Sequence, residues 1–183
     1  MATLRECQDG TARALEFIIL TAARSGEAIG ATWDKIDFTG KTWTVPAERM
    51  KGGREHRVPL PAAALAILKP LHGSRTGNYV FAGAKPGRPL SDMAVSMLLR
   101  RLQRGVTVHG FRSTFRNWAA ERTNFPRDVA EMALAHAIPN AVEAAYRRGD
   151  LFEKRRKLME AWAEFCATAG GSGDVLPLRR ARI

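Results

Sequence analysis

Cysteine is nearly missing from this sequence: Cys7 and Cys166 are the only two, and neither belongs to a CxxC pair or a close Cys/His group. That spacing argues against both a disulfide framework and a structural zinc site. Long apolar runs are missing as well. "FIILTAA" at 17–23 is far shorter than the roughly 20 residues a bilayer span requires, and the chain does not open on a signal-peptide pattern. The expectations are a cytoplasmic location and no membrane partner. No carboxylate cluster and no metal-ligand spacing occurs, so neither a metal nor a cofactor is expected.

Acidic residues are the minority. Asp and Glu number 18 against 29 Lys and Arg, giving a net charge of +11 and a pI near 10.6. Such an excess favours polyanions, and nucleic acid first, because each neutralised phosphate releases counterions. Disorder is not indicated. With 45% hydrophobic residues in 183, the chain is long enough to bury one substantial core.

Apolar residues at helical spacing predict a buried helix over "TARALEFIILTAA", 11–23. Three short segments follow, "TWDKIDF" (32–38), "KTWTVP" (41–46) and "EHRVPL" (55–60), separated by the turn sequences "TGK" and "MKGGRE". These predict a small antiparallel three-stranded sheet, with Pro46 and Pro59 suited to strand ends. A helix ending around Pro70 is expected over 61–71, then a strand-like "NYVF". Another helix follows at "SDMAVSMLLRRLQ", capped by Ser91 or Asp92. From Val108 the chain reads as helical almost throughout, up to a basic tail without periodicity. The expected fold is mainly α with that small sheet.

Several positions are suited to binding an anion. In "HGFRSTFRNWAAE" (109–121), Phe111, Phe115 and Trp118 share one helix face while His109, Arg112 and Arg116 lie nearly opposite. Arg24 ends an apolar helix with Glu27 three residues on, which fits an ordinary ion pair as well. Lys51 sits at the tip of a predicted hairpin beside a glycine pair, with Arg54 in the same turn. His136 continues the stripe of Val129, Met132 and Ala133, a pattern that also fits a partly buried histidine bonded to backbone. Tyr146 shares a face with Val142 on a helix capped by Asn140 and Glu143 and stopped at Gly149. Packing alone accounts for it.

The order and spacing of these residues say more than any one of them. An Arg with Glu three on, a hairpin Lys, HxxR, a "LAH" histidine and a Tyr ten residues later together resemble the catalytic domain of tyrosine recombinases of the phage integrase family, over about residues 11–165. The wording of "HGFRSTFRNWAAE" and "VEAAYRRGDLFEKRRKLMEAW" is similar to prophage and genomic-island integrases. One departure is Ala135, where the family often has Gly.

The resemblance implies site-specific DNA cleavage and rejoining through a 3′-phosphotyrosyl intermediate, for integration or excision of a mobile element. Tyr146 would be the nucleophile. Arg24, Lys51, His109, Arg112 and His136 would complete the catalytic set, and Glu27 would support Arg24 or His109. Arg54, Arg116 and Arg147 would contact DNA. It further implies double-stranded attachment sites as partner and a homotetramer on DNA, with the helix after Tyr146 docking on a neighbouring protomer. Accessory bending or excision factors and a bacterial or phage, nucleoid-associated setting belong to the same picture. The apolar side of "LFEKRRKLMEAWAEFC" fits packing on its own domain equally well.

The expected organisation is a catalytic domain at 1–167 and a flexible basic tail at 168–183. Core-binding and arm-binding domains would be absent, leaving weak activity. Two other classes fit parts of the pattern: type IB topoisomerase-like nicking and resealing, and a non-catalytic DNA-binding module.

Overall fold

The computed structural model describes residues 1–7, 9–102, 105–136 and 149–168. The fold is mainly helical with one three-stranded antiparallel sheet, as the patterning predicts.

Helix α1 (Ala2–Glu6) leads into α2 (Gly10–Thr21), whose start is capped where Asp9 Oδ1 accepts from the Ala12 N–H at 2.8 Å. Apolar residues surround nearly all of α2, and Ala14, Leu15, Phe17, Ile18 and Leu20 are each at most 1% exposed. A helix so apolar must be packed on all sides. It meets α1, the short α3 (Ser25–Ile29), α4 (Ala62–Gly73), α5 (Ala94–Arg101) and the C-terminal α8 (Phe152–Thr168). One polar group inside this shell is Glu16, 4% exposed, which pairs with Arg5 at 3.1 Å and Arg13 at 2.7 Å and so ties α1 to α2.

The sheet runs β1 (Ile36–Asp37), β2 (Thr42–Val45), β3 (His56–Pro59) in that order. Residues 33–35, expected to begin the first strand, form a 3-10 turn instead. Directly opposed residues of an antiparallel pair share a face. The pairs Trp43↔Val58 and Val45↔His56 therefore put His56 on the inward face, beside Trp43, which packs on Phe17 at 5.3 Å. Pro59 ends β3 and Pro46 follows β2, as expected of residues that cannot donate to a ladder.

Three local expectations differ from the structure. Helix α4 continues through Pro70 to Gly73, because a proline in the last turn forfeits one bond while Ser74 N–H still reaches the Pro70 carbonyl at 3.2 Å. Neither Ser91 nor Asp92 caps α5. Its start is closed by the backbone, with Ala94 N–H on the Ser91 carbonyl at 3.0 Å. "NYVF" forms an isolated bridge, Tyr79 with Thr32, in place of a strand.

Helices α6 (Gly110–Arg122) and α7 (Arg127–Ala133) complete the described part. Helix α8 lies on α2, α4, α7 and β3. Leu158, Met159, Trp162 and Cys166 are all buried, Trp162 Nε1 donates to the Ile19 carbonyl at 2.7 Å, and Phe115, Trp118, Trp162 and Phe165 form a continuous aromatic cluster. The apolar side of residues 152–168 packs on its own domain, one of the two readings of this helix. Of the basic tail expected at 168–183, Thr168 is the last residue of α8, and 169–183 lie outside the described residues.

Candidate active site

Helix α2 ends with Ala22 in the left-handed conformation at φ 50°, and the chain turns directly into α3. Arg24 precedes α3. Its N–H donates to Glu27 Oε2 at 3.0 Å and its Nη1 to Oε1 at 2.7 Å, so one buried carboxylate fixes both the backbone and the guanidinium of Arg24. Glu27 thus lies against Arg24, one of the two residues considered for it.

Arg112 lies one turn into α6 and is only 5% exposed. Its Nη1 donates to the Ala22 carbonyl and its Nη2 to the Leu134 carbonyl at 2.7 Å, which joins the ends of α2, α6 and α7 at one guanidinium. The same Nη2 faces His136 Nε2 at 3.4 Å. Nε of Arg112 is buried and has no partner among the described residues. Burial, followed by the nearby positive charge of Arg24, pulls the Arg112 pKa down to about 10, while Glu27 acts the other way. Arginine remains charged at neutral pH all the same, so two guanidinium groups and one carboxylate leave the site with a positive excess.

His136 follows the last turn of α7. Its ring is 39% exposed and lies with Nδ1 2.6 Å from Glu131 Oε2, so it bonds a carboxylate where the sequence suggested backbone. Ala135, just before it, has φ 50°, a conformation that favours glycine. Glu131 also binds Arg116 Nε at 2.7 Å. Arg116 was expected to contact DNA; here its guanidinium joins α6 to α7.

His109 is exposed immediately before α6. Lys51 and Arg54 are exposed in the turn between β2 and β3, where Gly53 at φ 62° donates its N–H to the Met50 carbonyl at 3.0 Å. The base of this hairpin is clamped by Arg49, which donates to the carbonyls of Gly30 and Gly26, the latter at 2.6 Å. A Cβ on Gly30 would occupy the place of the Arg49 guanidinium, so this contact requires glycine. Tyr146 and Arg147 lie outside the described residues, as do Val142, Asn140 and Glu143.

The structure thus brings Arg24, Glu27, Arg112 and His136 together, while His109 is exposed before α6 and Lys51 is exposed in the β2–β3 turn. A sequence model described as the phage integrase family matches residues 2–151. The chain belongs to the phage integrase family. Prophage integrase IntA of Escherichia coli (strain K12) is 42% identical over 164 residues, covering 86% of this chain and 39% of IntA. The integrase of Shigella phage Sf6 is 31% identical over 150 residues, covering 79% of this chain and 39% of that one. This chain therefore spans well under half the length of these relatives. Among solved structures, the Tn1549 transposon integrase (residues 82–397) in complex with circular intermediate DNA superposes with a TM-score of 0.52 at 17% identity, over 76% of this chain and 58% of that one. The shared fold is that of the tyrosine recombinase catalytic domain.

Four residues of this integrase-family chain emerge only from the structure. His56 lies on the inward face of β3 near the Ala133 backbone, and burial, followed by the charge of Arg155, lowers its pKa to about 4. Arg155 is 1% exposed and donates to the carbonyls of Asp150 and Arg57 at 2.7 and 2.6 Å and to Asp150 Oδ2 at 2.8 Å. Asp150 also takes Arg57 Nη2 at 2.8 Å. Glu131 is the fourth. A signal existed for Arg155, which sits in phase with Phe152, Met159, Trp162 and Cys166 on α8.

Proposed function

We propose that this chain is the catalytic part of a site-specific DNA recombinase that cleaves and rejoins strands through a 3′-phosphotyrosyl intermediate at Tyr146. The observation that carries this reading is the proximity of two guanidinium groups, Arg24 held by the Glu27 carboxylate and Arg112 buried, with Nε of Arg112 unspent among the described residues. Bringing two guanidinium groups together costs electrostatic energy unless an anion lies between them, and a phosphodiester passing through a pentacoordinate state has the charge and planar acceptors they match.

In this reading the Tyr146 hydroxyl attacks phosphorus, a phosphotyrosyl bond forms, and the bond from phosphorus to the 5′-oxygen breaks. A tyrosine of ordinary pKa, about 10, is almost wholly protonated at neutral pH. His109, exposed beside the Arg112 helix, accepts its proton. Lys51 delivers a proton to the departing 5′-oxygen from the hairpin tip, a site of high solvent access suited to repeated reloading. Arg54 stands nearby, but its high pKa makes it a poor acid. His136 hydrogen-bonds the phosphate. The bond energy is retained in the phosphotyrosyl link, so another 5′-hydroxyl reseals the strand.

Double-stranded attachment sites of a mobile element are the proposed substrate, in keeping with the DNA complex of the Tn1549 integrase. Assembly as a tetramer and help from bending or excision factors belong to the same proposal. So does residual weak activity of this part alone.

A nicked suicide duplex tests the reading. A covalent protein–DNA adduct that disappears in Tyr146→Phe is expected. No adduct, even when the chain is joined to the remaining domains of an integrase, would overturn it. Relaxation of supercoiled DNA without strand exchange would point to a topoisomerase, and salt-sensitive binding without an adduct to a non-catalytic module.

A further inference from the structure

The carboxylate of Glu131 has two hydrogen-bond partners and a third, more distant ion-pair partner. Oε2 lies 2.6 Å from His136 Nδ1, and Oε1 lies 2.7 Å from Arg116 Nε and 3.8 Å from Arg127 Nε. Burial alone would raise the Glu131 pKa, but the hydrogen bonds from His136 and Arg116 outweigh it and hold the group below its ordinary value. Glu131 is thus a carboxylate, and an ionised carboxylate only accepts. The proton in the short contact to His136 must therefore sit on Nδ1.

The other ring nitrogen, Nε2, faces Arg112 Nη2 at 3.4 Å. In a neutral ring protonated at Nδ1, Nε2 is an acceptor. It can receive the arginine N–H, but it has nothing to donate to a phosphate oxygen, which offers only lone pairs. A hydrogen bond from His136 to phosphate therefore needs a second proton on the ring.

We propose that Glu131 is a positioning residue for His136: it fixes the Nδ1–H tautomer and balances the imidazolium that forms when Nε2 donates to a DNA phosphate. One proton moves from solvent to Nε2 as the phosphate is bound. This rests on the assignment of His136 to the phosphate made above. Among the described residues, charged or titratable groups reach the site from four elements: Arg112 and Arg116 from α6, Glu131 and Arg127 from α7, Arg24 and Glu27 at α3, and His56 from β3. Arg24 and Arg112 oppose an added cation. Glu131 and the incoming phosphate favour it.

The competing role is a strut that merely joins α6 to α7 through Arg116. The full chain, with its four histidines labelled at the ring nitrogens, separates the two by NMR, His136→Gln supplying the assignment. Without DNA, the His136 ring should be the Nδ1–H tautomer. With a nicked suicide duplex at pH 7 it should become doubly protonated. Glu131→Gln keeps an acceptor but removes the charge. Its adduct yield should fall about tenfold at pH 8, the size of one hydrogen bond to a charged group, and recover most of the loss at pH 6. Arg116→Gln, which cuts the strut and leaves the Nδ1 bond, should weaken DNA binding without changing the shape of the pH profile.

An Nε2–H tautomer in the free chain overturns the proposal. So does a loss in Glu131→Gln that is the same at pH 6 and pH 8 and is matched by Arg116→Gln. A wild-type chain that forms no adduct under any condition counts against the recombinase reading, while the tautomer of the free chain still decides the place of Glu131.

Discussion

Arg155 and Asp150 are bound twice over: Arg155 Nε donates to the Asp150 main-chain carbonyl at 2.7 Å and Nη2 to its carboxylate at 2.8 Å. A third bond, to the Arg57 carbonyl at 2.6 Å, carries the link onto β3. The Phe152 ring completes the assembly, with the Arg57 guanidinium carbon 4.5 Å from its centroid. The start of α8 is thereby fixed to the strand that leads back to the Lys51 hairpin.

Removing one member of such a group strands the others. Arg155→Met is expected to lower stability by about 3 kcal/mol, the lower end for a broken buried pair because Asp150 is 40% exposed. Urea denaturation followed by tryptophan fluorescence measures it. A loss under 1 kcal/mol would mean that water replaces the guanidinium readily.

Ala135 occupies a left-handed conformation at φ 50° beside His136. Ala135→Gly relieves that strain and should stabilise the chain by about 0.5–1 kcal/mol after the extra unfolded-state entropy of glycine is counted. Ala66→Gly, on the exposed side of α4, should instead cost about 1 kcal/mol. Thermal unfolding of both variants gives the comparison, and equal losses would show that the turn before His136 is unstrained.

His56 gives the fold a pH dependence. Its folded pKa of about 4, set first by burial and then by the Arg155 charge, lies below the ordinary value of 6.5. The unfolded chain therefore binds the proton more readily, so this contribution is fully present above pH 6.5 and is lost as pH falls toward 4. The full span corresponds to roughly 3 kcal/mol. His56→Gln should flatten the stability profile across that window in denaturation series. A profile unchanged by the substitution would remove His56 as its source.

Gly30→Ala should displace Arg49 and loosen the base of the hairpin, because the new methyl group falls where the guanidinium lies. If this displacement is the cause, the double variant Gly30→Ala/Arg49→Ala loses less stability than the two single losses added, by about 0.5 kcal/mol or more. Strict additivity would place the cost of the methyl group elsewhere.

Much of this was legible in the chain itself. The apolar wrapping of α2 and the alternation in β2 follow directly from residue order, as do the turns that pin the sheet. Arg24, Glu27 and Arg112, which the structure brings together, stood out through their spacing in sequence, since side chains near helix ends leave short local signatures. Glu131 was not, because its two partners lie on different sides of it in sequence, at Arg116 and His136, and only packing of α6 on α7 joins them. His56 was hidden for a related reason. Alternation put it on an inward face, but nothing local indicated that the Ala133 backbone lies near it. Pro70 misled because a proline near a helix end reads as a stop, whereas the last turn can absorb it.

The guanidinium of Arg112 is moored chiefly to peptide oxygens, those of residues 22 and 134, with the longer contact to His136 beside them. Every amino acid supplies that oxygen. Residue replacement at Leu134 therefore removes no acceptor, and the Arg112 guanidinium keeps its aim while the walls around it drift. A saturation library across the site should accordingly tolerate size-matched apolar changes at 134 and reject nearly all changes at 112.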